Sequence, residues 1–572
     1  MRLRCELIVK LAMKTNRILW GLIALVAYWQ PTQSRAEGTW VPLATQPAEG
    51  IQTVLVLQNG TVMAAPGSST NATQWYKLTP DSNGHYINGT WSTRAAANYG
   101  RLYFASTVLP SGRVVVCGGE YGNGRSHIEM YDAYSDYWSD EVDEPASLAE
   151  GNSVLLQNGQ VLYTPQANSG GKTYLIDPAT FTPVATGKSL EDIGEASWVK
   201  LPDFSILTID SGGSASGATT AERYVPSSGA WTDASGSGVP NIWADFSATP
   251  DVAECGPATL LPNGNAIFFG GNGNTAVYNP ASGSWSQGPT IPSGDVCADA
   301  PCAMMNNGKV LIQAGPAVDT SSGEPVWASS SSFFEYDYAA NSGAGGFTQV
   351  HAPGGGLTRS EVTYAGRMLD LPDGTILWCD GGSQLYVYQP DGVPLAAGVP
   401  VIDSVATNGP GLLWLTGTGF GGLTQGASYG DDAQMDSNFP LVQFVDANGV
   451  IRYGFSELWS DNVQAGSAVS AVMCVMPPGA SLNDTIRVTV NGSVSSGVHY
   501  PLWGGYTNWV DFNYSGFSLG VLPFPWKTMA DAVSFATPGT VISVKAGSGA
   551  TPINITKPVR IVSSGGTAHI GP

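Results

Sequence analysis

Residues Val54–Gly67 read VLVLQNGTVMAAPG, which is an apolar run, an Asn-Gly pair, a second apolar run and a small-residue break. A two-residue hairpin turn requires positive φ, which Asn-Gly and Asp-Gly pairs supply. The stretch therefore predicts a β-hairpin made of two buried strands. The same pattern recurs at Val108–Gly119, Leu155–Gln166, Leu260–Gly271, Met304–Gly315 and Leu369–Gly382. Repeated hairpins of this kind are typical of a β-propeller.

The spacing of the turns predicts seven units. Most turns lie roughly 50 residues apart, the period of kelch repeats, but the gap between Gly159 and Gly264 is twice as long. Trp198–Gly213 (WVKLPDFSILTIDSGG) fills that gap with a weaker copy that lacks the turn glycine. A third strand and a tryptophan-bearing fourth strand follow most hairpins and complete a four-stranded blade. The last unit lacks its tryptophan strand, so Gly38–Ala44 (GTWVPLA) is predicted to close the ring.

Composition and charge support an all-β fold class. The chain has 572 residues, with 72 glycines, 17 tryptophans and only 12% charged residues. This composition suits short strands and tight turns better than helices or disorder. The formal net charge of −21 should repel both nucleic acid and anionic lipid surfaces. We therefore expect no nucleic-acid partner and no membrane contact beyond the N-terminal segment.

The N-terminal segment predicts export. A basic stretch, the apolar run Ile18–Trp29 and the small-residue exit Ser34–Ala36 are typical of a signal peptide, placed over residues 1–36. The apolar run is short for a membrane span, and an uncleaved N-terminal anchor is the alternative interpretation. Both interpretations predict a secreted or extracytoplasmic protein, with the cell surface as a possible location.

Six cysteines follow the predicted signal peptide. Export permits disulfides, although the pairing cannot be deduced from sequence alone. Cys297 and Cys302 lie where the sixth unit begins, and Cys255 lies where the fifth begins, so we expect a disulfide among these three. The remaining cysteines lie in apolar strands and are expected to be buried thiols, namely Cys117, Cys379 and Cys474.

The repeat pattern ends near residue 399. We place the propeller over residues 38–398 and an immunoglobulin-like β-sandwich over 399–503, where apolar residues alternate without hairpin repeats. Residues 504–572 resemble a single, partial rung of a parallel β-helix. One rung leaves its apolar faces open, so we expect either that aromatic residues such as Trp509 and Phe512 dock this tail on the sandwich or that the segment is the edge of a longer protein.

Two motifs add a family resemblance. They are LTGTGFGG at Leu415–Gly422 and ASYGDDAQMDSNFPLVQF at Ala427–Phe444. Together with the hairpin repeats, they resemble the copper radical oxidases, the galactose oxidase and glyoxal oxidase group, over residues 39–503. The resemblance implies a seven-bladed kelch propeller followed by an early-set, immunoglobulin-like sandwich. The tail after residue 503 has no counterpart in that group.

The resemblance also implies a copper site, and this chain departs from it. Those oxidases hold copper on the propeller axis with two histidines and two tyrosines, one of them cross-linked to a cysteine. The matching positions place the cross-linked tyrosine on Tyr103 and the axial tyrosine on Tyr364. The thiol position matches Ile51, the first imidazole position is Ala365, and Arg452–Gly466 contains no histidine. The family site is therefore expected to be degenerate, with no catalytic residue beyond the two surviving tyrosines.

The residues that begin the inner strands form the predicted binding site. The same register brings Tyr103, Glu150, Glu195, Asp299 and Tyr364 to the axis, with Ile51 and Cys255, and the nearby acids are Glu254, Asp295 and Glu361. Such carboxylates could bind Ca²⁺ or the hydroxyl groups of a sugar. Without a cation, close carboxylates would raise one another's pKa values. The alternative is that these residues only hydrogen-bond the backbone of neighbouring blades.

Two functions follow from these observations. The first is a monomeric, non-catalytic protein that binds an extracellular glycan or surface polymer, with no cofactor expected, copper improbable and calcium as the possible cation. The second is a copper radical oxidase-type enzyme that oxidises alcohols or aldehydes with substitute ligands. Fold alone does not decide between them.

Overall fold

A computed structural model describes residues 37–571, except for 68, 140–141, 144–150, 165–170, 191–192, 194–195, 211–219, 245–254, 324, 408–409, 426, 430–437, 461–468, 501–506, 517, 519, 521–524 and 537–539. The predicted signal peptide, Glu150, Glu195 and Glu254 lie outside the described residues. No helix of the described part is long and apolar enough to cross a membrane.

The described chain is almost entirely β-structure and has a propeller-type fold. Seven antiparallel sheets are built from residues 39–389 of the described part, and each has at its inner edge the first strand of a predicted hairpin. Inner strands of neighbouring sheets contact one another around an axis. The sheets are numbered below by the order of these inner strands.

The first four sheets follow the predicted pattern of one hairpin and two further strands. Sheet 1 contains Ile51–Val56, Val62–Pro66, Tyr76–Thr79 and Thr90–Thr93. Sheet 2 contains Ala105–Val108, Arg113–Cys117, His127–Asp132, Tyr137–Trp138 and Val142–Asp143, beside a ribbon of Arg101–Leu102 and Tyr121–Gly122. Sheet 3 contains Ser153–Leu155, Val161–Tyr163, Tyr174–Asp177 and Thr182–Ala185. Sheet 4 contains Val199–Lys200, Ile206–Ile209, Ala221–Val225 and Ala230–Asp233.

The remaining three sheets complete the ring. Sheet 5 contains Ala258–Leu260, Ala266–Phe269, Thr275–Asn279 and Ser284–Gln287. Sheet 6 contains Pro301–Met304, Val310–Pro316, Ser331–Asp337 and Gly346–Val350, with Asp295–Val296 and Thr358–Arg359 added at its margins. Sheet 7 contains Arg367–Asp370, Ile376–Cys379, Tyr386–Gln389 and Thr39–Pro42. Short helical turns occur at Pro292–Gly294, Ala340–Gly343, Thr363–Ala365 and Ala396–Gly398.

The hairpin turns adopt the left-handed conformation that the sequence predicts. Gly60 has φ 70°, and a Cβ atom there would lie 2.4 Å from the ring of Tyr453. Glycine is therefore required at this turn for both conformation and space. In the unit without a turn glycine, Phe204 takes its place with φ 65°. The predicted weaker copy at Trp198–Gly213 is thus a hairpin, and its turn carries a cost in backbone strain.

The N-terminal strand closes the ring, as predicted. Thr39–Pro42 pairs antiparallel with Tyr386–Gln389 and forms the outer strand of sheet 7. The Trp40 ring lies 4.9 Å from the Tyr388 ring and 5.3 Å from the Phe333 ring, between centroids. The closure is therefore held by backbone hydrogen bonds and by an aromatic contact that extends to sheet 6.

Two further antiparallel sheets follow the propeller and share its hydrophobic core. One contains Val401–Thr407, Leu412–Thr418, Val469–Val475 and Phe455–Glu457, and the other contains Leu441–Val445, Ile451–Tyr453, Thr485–Val490, Ser493–Val494 and Val498–His499. They pack on the hairpin-turn end of the axis, where Leu458 N–H donates to the Pro110 carbonyl at 2.6 Å. The Thr489 hydroxyl donates to the Pro372 carbonyl at 3.1 Å. The opposite end of the axis, where the inner strands begin, is called the mouth below.

One strand from this two-sheet region enters the propeller. Ala427–Tyr429 pairs antiparallel with Pro301–Met304, the inner strand of sheet 6. Gln425, just before it, accepts hydrogen bonds from Lys200 N–H at 3.1 Å and from the Thr259 hydroxyl at 3.2 Å. Since sheets 4, 5 and 6 all contact this segment, it fills the axis of the propeller. This inserted strand was not predicted from the sequence.

The tail contains three parallel strands where the sequence predicted one rung. Thr507–Val510, Val541–Gly549 and Arg560–Ile570 form this sheet beside the helix Met529–Phe535. The cluster around Val510 contains, among the described residues, side chains of the tail alone. Trp526 stacks on Phe535 at 4.7 Å within the tail. The last strand, Arg560–Ile570, has no buried residue, so it leaves a face open as a partial β-helix does.

Deletion of residues 39–42 should lower the free energy of unfolding of the propeller, because Tyr386–Gln389 becomes an exposed edge strand. The expected loss is several kcal/mol, which is more than the roughly 0.5–3 kcal/mol of a typical substitution. The measurement is urea unfolding followed by tryptophan fluorescence. Thr39→Ala is the matched control, since it changes an exposed side chain and keeps the strand. An unchanged unfolding midpoint for the deletion would mean that the ring is closed by other contacts.

Candidate binding site at the mouth of the propeller

Arg367 lies at the centre of the mouth, at the first position of the inner strand of sheet 7. Its guanidinium carbon is 5.2 Å from the ring centroid of Tyr103. Its Nη1 donates to the carbonyls of Tyr364 at 2.8 Å and Gly366 at 2.7 Å. The side chain is fully buried. Arg367 therefore holds the two predicted tyrosines at one place, Tyr103 by its ring and Tyr364 by its backbone.

Tyr103 is fixed by its local backbone. It has φ 50°, an uncommon conformation for an aromatic residue, and it follows the ribbon strand Arg101–Leu102. The N–H of Glu120 donates to the carbonyls of Leu102 and Tyr103, both at 3.0 Å. The Tyr103 ring makes an edge contact with Tyr121 at 6.0 Å, and Tyr121 is 48% exposed. The ribbon thus presents two aromatic rings, one half-buried and one open to solvent.

Tyr364 and Asp299 reach the mouth from the other side. Tyr364 lies on the helical turn Thr363–Ala365, and its ring meets the half-buried Trp327 edge-on at 5.5 Å. The Thr363 hydroxyl donates to the Ala298 carbonyl at 2.8 Å, which places Asp299 beside this turn. Asp299 has φ 52° and its N–H donates to the Cys255 carbonyl at 2.9 Å. The backbone part of this arrangement agrees with the alternative interpretation, in which these residues link neighbouring blades.

Glu361 is the second described carboxylate near the mouth. Burial raises the pKa of its carboxyl group, and the Asp380 carboxylate adds to the rise, whereas the Val362 N–H and Arg359 oppose it. Asp380 is itself paired with Arg359 at 2.8 Å. With a raised pKa, Glu361 takes up a proton at a higher pH than an exposed glutamate does, and the protonated carboxyl group can donate a hydrogen bond.

Three of the five predicted site residues come together. Tyr103, Asp299 and Tyr364 share the mouth, while Glu150 and Glu195 lie outside the described residues. Ile51 and Cys255, at the same register, are buried and offer no polar side-chain group to a ligand. No group of three His, Cys, Asp or Glu residues that could hold a metal occurs in the described ranges. The expected calcium site therefore remains a prediction that rests on acids outside them.

The predicted disulfide among Cys255, Cys297 and Cys302 is wrong. The structure holds all six cysteines after the signal segment as buried thiols. The Cys297 thiol donates to the Gln313 carbonyl at 3.3 Å, and burial raises its pKa well above the ordinary value. The prediction that Cys117, Cys379 and Cys474 are buried thiols is confirmed.

The mouth does not fit the copper ion that the family resemblance implies. The two tyrosines meet, but the thiol position is the buried Ile51 and the first imidazole position is Ala365. Cu(II) favours imidazole, phenolate and other N and O donors. The Arg367 guanidinium lies between the Tyr103 ring and the Tyr364 carbonyl, at the place where the two tyrosines meet.

The axis below the mouth is occupied by backbone. The inserted strand Ala427–Tyr429 pairs there with the inner strand of sheet 6. A cavity beside this segment measures about 30 Å³ and is lined by Ser106, Lys200, Gln425 and Trp459, among others. That volume holds one or two water molecules. The Ser106 hydroxyl has no partner among the described residues, which such a water would supply. A larger ligand must therefore approach from the mouth.

Sequence reasoning missed three residues of the site, Arg367, Trp327 and Tyr121. Arg367 comes just after the helical turn that carries Tyr364. A cationic residue so close to a predicted site tyrosine was the signal that could have identified it. Trp327 lies in the extra length between the turns at Gly308 and Gly374, where an insertion of functional residues could have been suspected. Tyr121 belongs to a ribbon too short to leave a pattern in the sequence.

Comparison with known proteins finds similarity at the level of structure. No protein-family model matches the chain, and no curated protein matches it. A fungal alcohol oxidase of the AA5 family, solved in complex with copper, is 14% identical with a TM-score of 0.45. The alignment covers 82% of this chain and 99% of that chain.

We expect the protein to retain less than one copper per chain after equilibration with Cu(II) and dialysis, because the matching thiol and first imidazole positions hold Ile51 and Ala365. Galactose, glyoxal and simple alcohols should give no hydrogen peroxide above a blank. The measurements are elemental analysis and a peroxidase-coupled assay. Copper-dependent peroxide release that is lost in Tyr103→Phe, and kept in Tyr137→Phe on the exposed outer strand of sheet 2, would contradict this expectation.

Proposed function

We propose that this chain is a non-catalytic, extracellular carbohydrate-binding protein that takes its ligand at the mouth of the propeller. The observation that carries the proposal is a chain of contacts that joins three tyrosines and one tryptophan through Arg367. Contacts link Tyr121 to Tyr103, Tyr103 to Arg367, Arg367 to Tyr364, and Tyr364 to Trp327. These rings are half-buried or exposed at one end of an axis that is filled below.

The chemistry of the mouth suits a sugar. Aromatic rings offer large, rigid apolar faces for the C–H faces of a pyranose, and the tyrosine hydroxyls provide polar contacts at the same place. The carboxylates of Asp299 and Glu361 accept hydrogen bonds from sugar hydroxyls. A few polar groups on a mostly aromatic wall are typical of small-molecule sites in proteins.

Charge narrows the class of ligand. The chain carries a formal net charge of −21, and the described acids at the mouth include Asp299 and Glu361. A polyanion would be repelled over the range of the protein's field. A neutral glycan or surface polymer is therefore the proposed ligand of the mouth, and the predicted signal peptide supports a location where such polymers occur.

A copper oxidase with substitute ligands is the second candidate. The observation that favours it is that both family tyrosines, Tyr103 and Tyr364, share the mouth. It is the weaker candidate because the thiol and first imidazole positions hold Ile51 and Ala365.

The test is binding to an array of neutral oligosaccharides, followed by calorimetry with the sugars that bind. Tyr121→Ala should weaken binding by about tenfold, which corresponds to ~1.4 kcal/mol for one lost stacking face. Tyr137→Ala is the matched control, since Tyr137 is 58% exposed on the outer strand of sheet 2 and should leave affinity unchanged.

Two outcomes would contradict the proposal. One is the absence of binding to any neutral oligosaccharide by the intact chain. The other is binding that Tyr121→Ala and Trp327→Ala both leave unchanged, which would place the ligand away from the mouth. Thermal melting of each variant checks that the fold is retained.

A further inference from the structure

The tail contains a cavity that is separate from the mouth. It measures about 220 Å³ and lies between the start of the helix Met529–Phe535 and the loop after Val541–Gly549. Pockets for drug-sized ligands occupy roughly 300–1,000 Å³. The cavity therefore has room for one sugar ring rather than for a larger molecule.

The lining combines an apolar side with hydroxyl groups. Phe512, Met529 and Ile553 supply the apolar surface, while Ser548 and Thr551 supply exposed hydroxyls. The Phe512 ring is held against the backbone at Gly549, where a Cβ atom would come within 2.4 Å of it. A glycine at this position thus lets an aromatic ring stand at the wall of the cavity.

Lys527 is the charged residue of the described lining. The other lysines of the tail are engaged, because Lys545 pairs with Asp511 at 2.7 Å and Lys557 donates to the Ser534 carbonyl at 2.7 Å. Lys527 is exposed and forms no ion pair with a described residue. Asp531, the nearest acid of the helix, accepts from the Thr528 hydroxyl at 2.6 Å and does not line the cavity.

The tail also differs in charge from the rest of the chain. Residues 504–572 contain four cationic side chains, Lys527, Lys545, Lys557 and Arg560, and two acids, Asp511 and Asp531, in a chain of net charge −21. An anion repelled by the body of the protein would be attracted here, over about a Debye length of 8–10 Å at moderate ionic strength.

We propose that this cavity is a binding site for an acidic sugar ring, with Lys527 pairing with the carboxylate and Phe512 lying against the C–H face. The exposed hydroxyls of Ser548 and Thr551 meet the sugar hydroxyls. Neither the aromatic wall alone nor the lysine alone would select this ligand. This site is separate from the mouth. It selects an anionic sugar, whereas the proposed ligand of the mouth is a neutral glycan.

The test uses the intact chain with D-glucuronate, D-glucose and acetate as probes, measured by calorimetry and ligand-observed NMR. Glucuronate should bind in the millimolar range, and glucose and acetate at least tenfold more weakly. Lys527→Glu should reduce glucuronate affinity by more than tenfold. Lys188→Glu, the same change at an exposed lysine of the propeller, should leave it unchanged, as should Tyr121→Ala at the mouth.

Ala550→Trp gives a second measurement, since this exposed rim residue can fill the cavity without altering its charge. It should abolish glucuronate binding while thermal melting stays as in the parent chain. The proposal is overturned if Lys527→Glu binds glucuronate as well as the parent, if glucose binds equally well, or if no glucuronate binding is detected. Loss of binding in Tyr121→Ala instead of Lys527→Glu would also overturn it, and would assign the ligand to the mouth.

Discussion

The pairing of Thr39–Pro42 with Tyr386–Gln389 is the interaction on which the rest of the structure depends. A propeller protects its strands by closing on itself, since a ring has no first or last sheet with an open face. Here the two ends of the ring are distant in sequence, and Trp40 joins them through contacts with Tyr388 and Phe333. Closure also fixes the mouth, because Tyr103 belongs to sheet 2 and Arg367 begins sheet 7, on either side of sheet 1.

Arg367 links the two predicted site tyrosines at the mouth. A buried guanidinium must be compensated, and two backbone carbonyls and the π-face of Tyr103 contribute to that compensation here. Because the carbonyls belong to Tyr364 and Gly366, the same side chain that lies against the Tyr103 ring also holds the backbone turn that carries Tyr364.

The sequence predicts what depends on local patterns. Asn-Gly turns between apolar runs predict the hairpins, and even the unit turned by Phe204 is detected by its flanking strands. The closing strand is predicted because the last unit lacks one. The pairing of Ala427–Tyr429 with sheet 6 cannot be predicted from local sequence patterns, because the two paired segments are far apart in the chain.

The site is predicted less completely for the same reason. Tyr103, Asp299 and Tyr364 are found by register, but Arg367 acquires its role only when the ring brings it against Tyr103. The disulfide prediction fails because position at the start of a unit does not specify which way a side chain faces. The tail is predicted to resemble a parallel β-helix, but the number of its parallel strands is not predicted, because one strand does not reveal how many others will lie beside it.

The inserted strand has a consequence for how the chain folds during synthesis. The axis is completed only when Ala427–Tyr429 arrives, after every strand of the propeller has already been made. Until then one edge of the inner strand of sheet 6 has no pairing strand, and the axis of the propeller is not filled by this segment. Such late, long-range contacts slow folding and prolong the exposure of strand edges. The axis of the propeller can therefore be filled only after the two-sheet region has been translated.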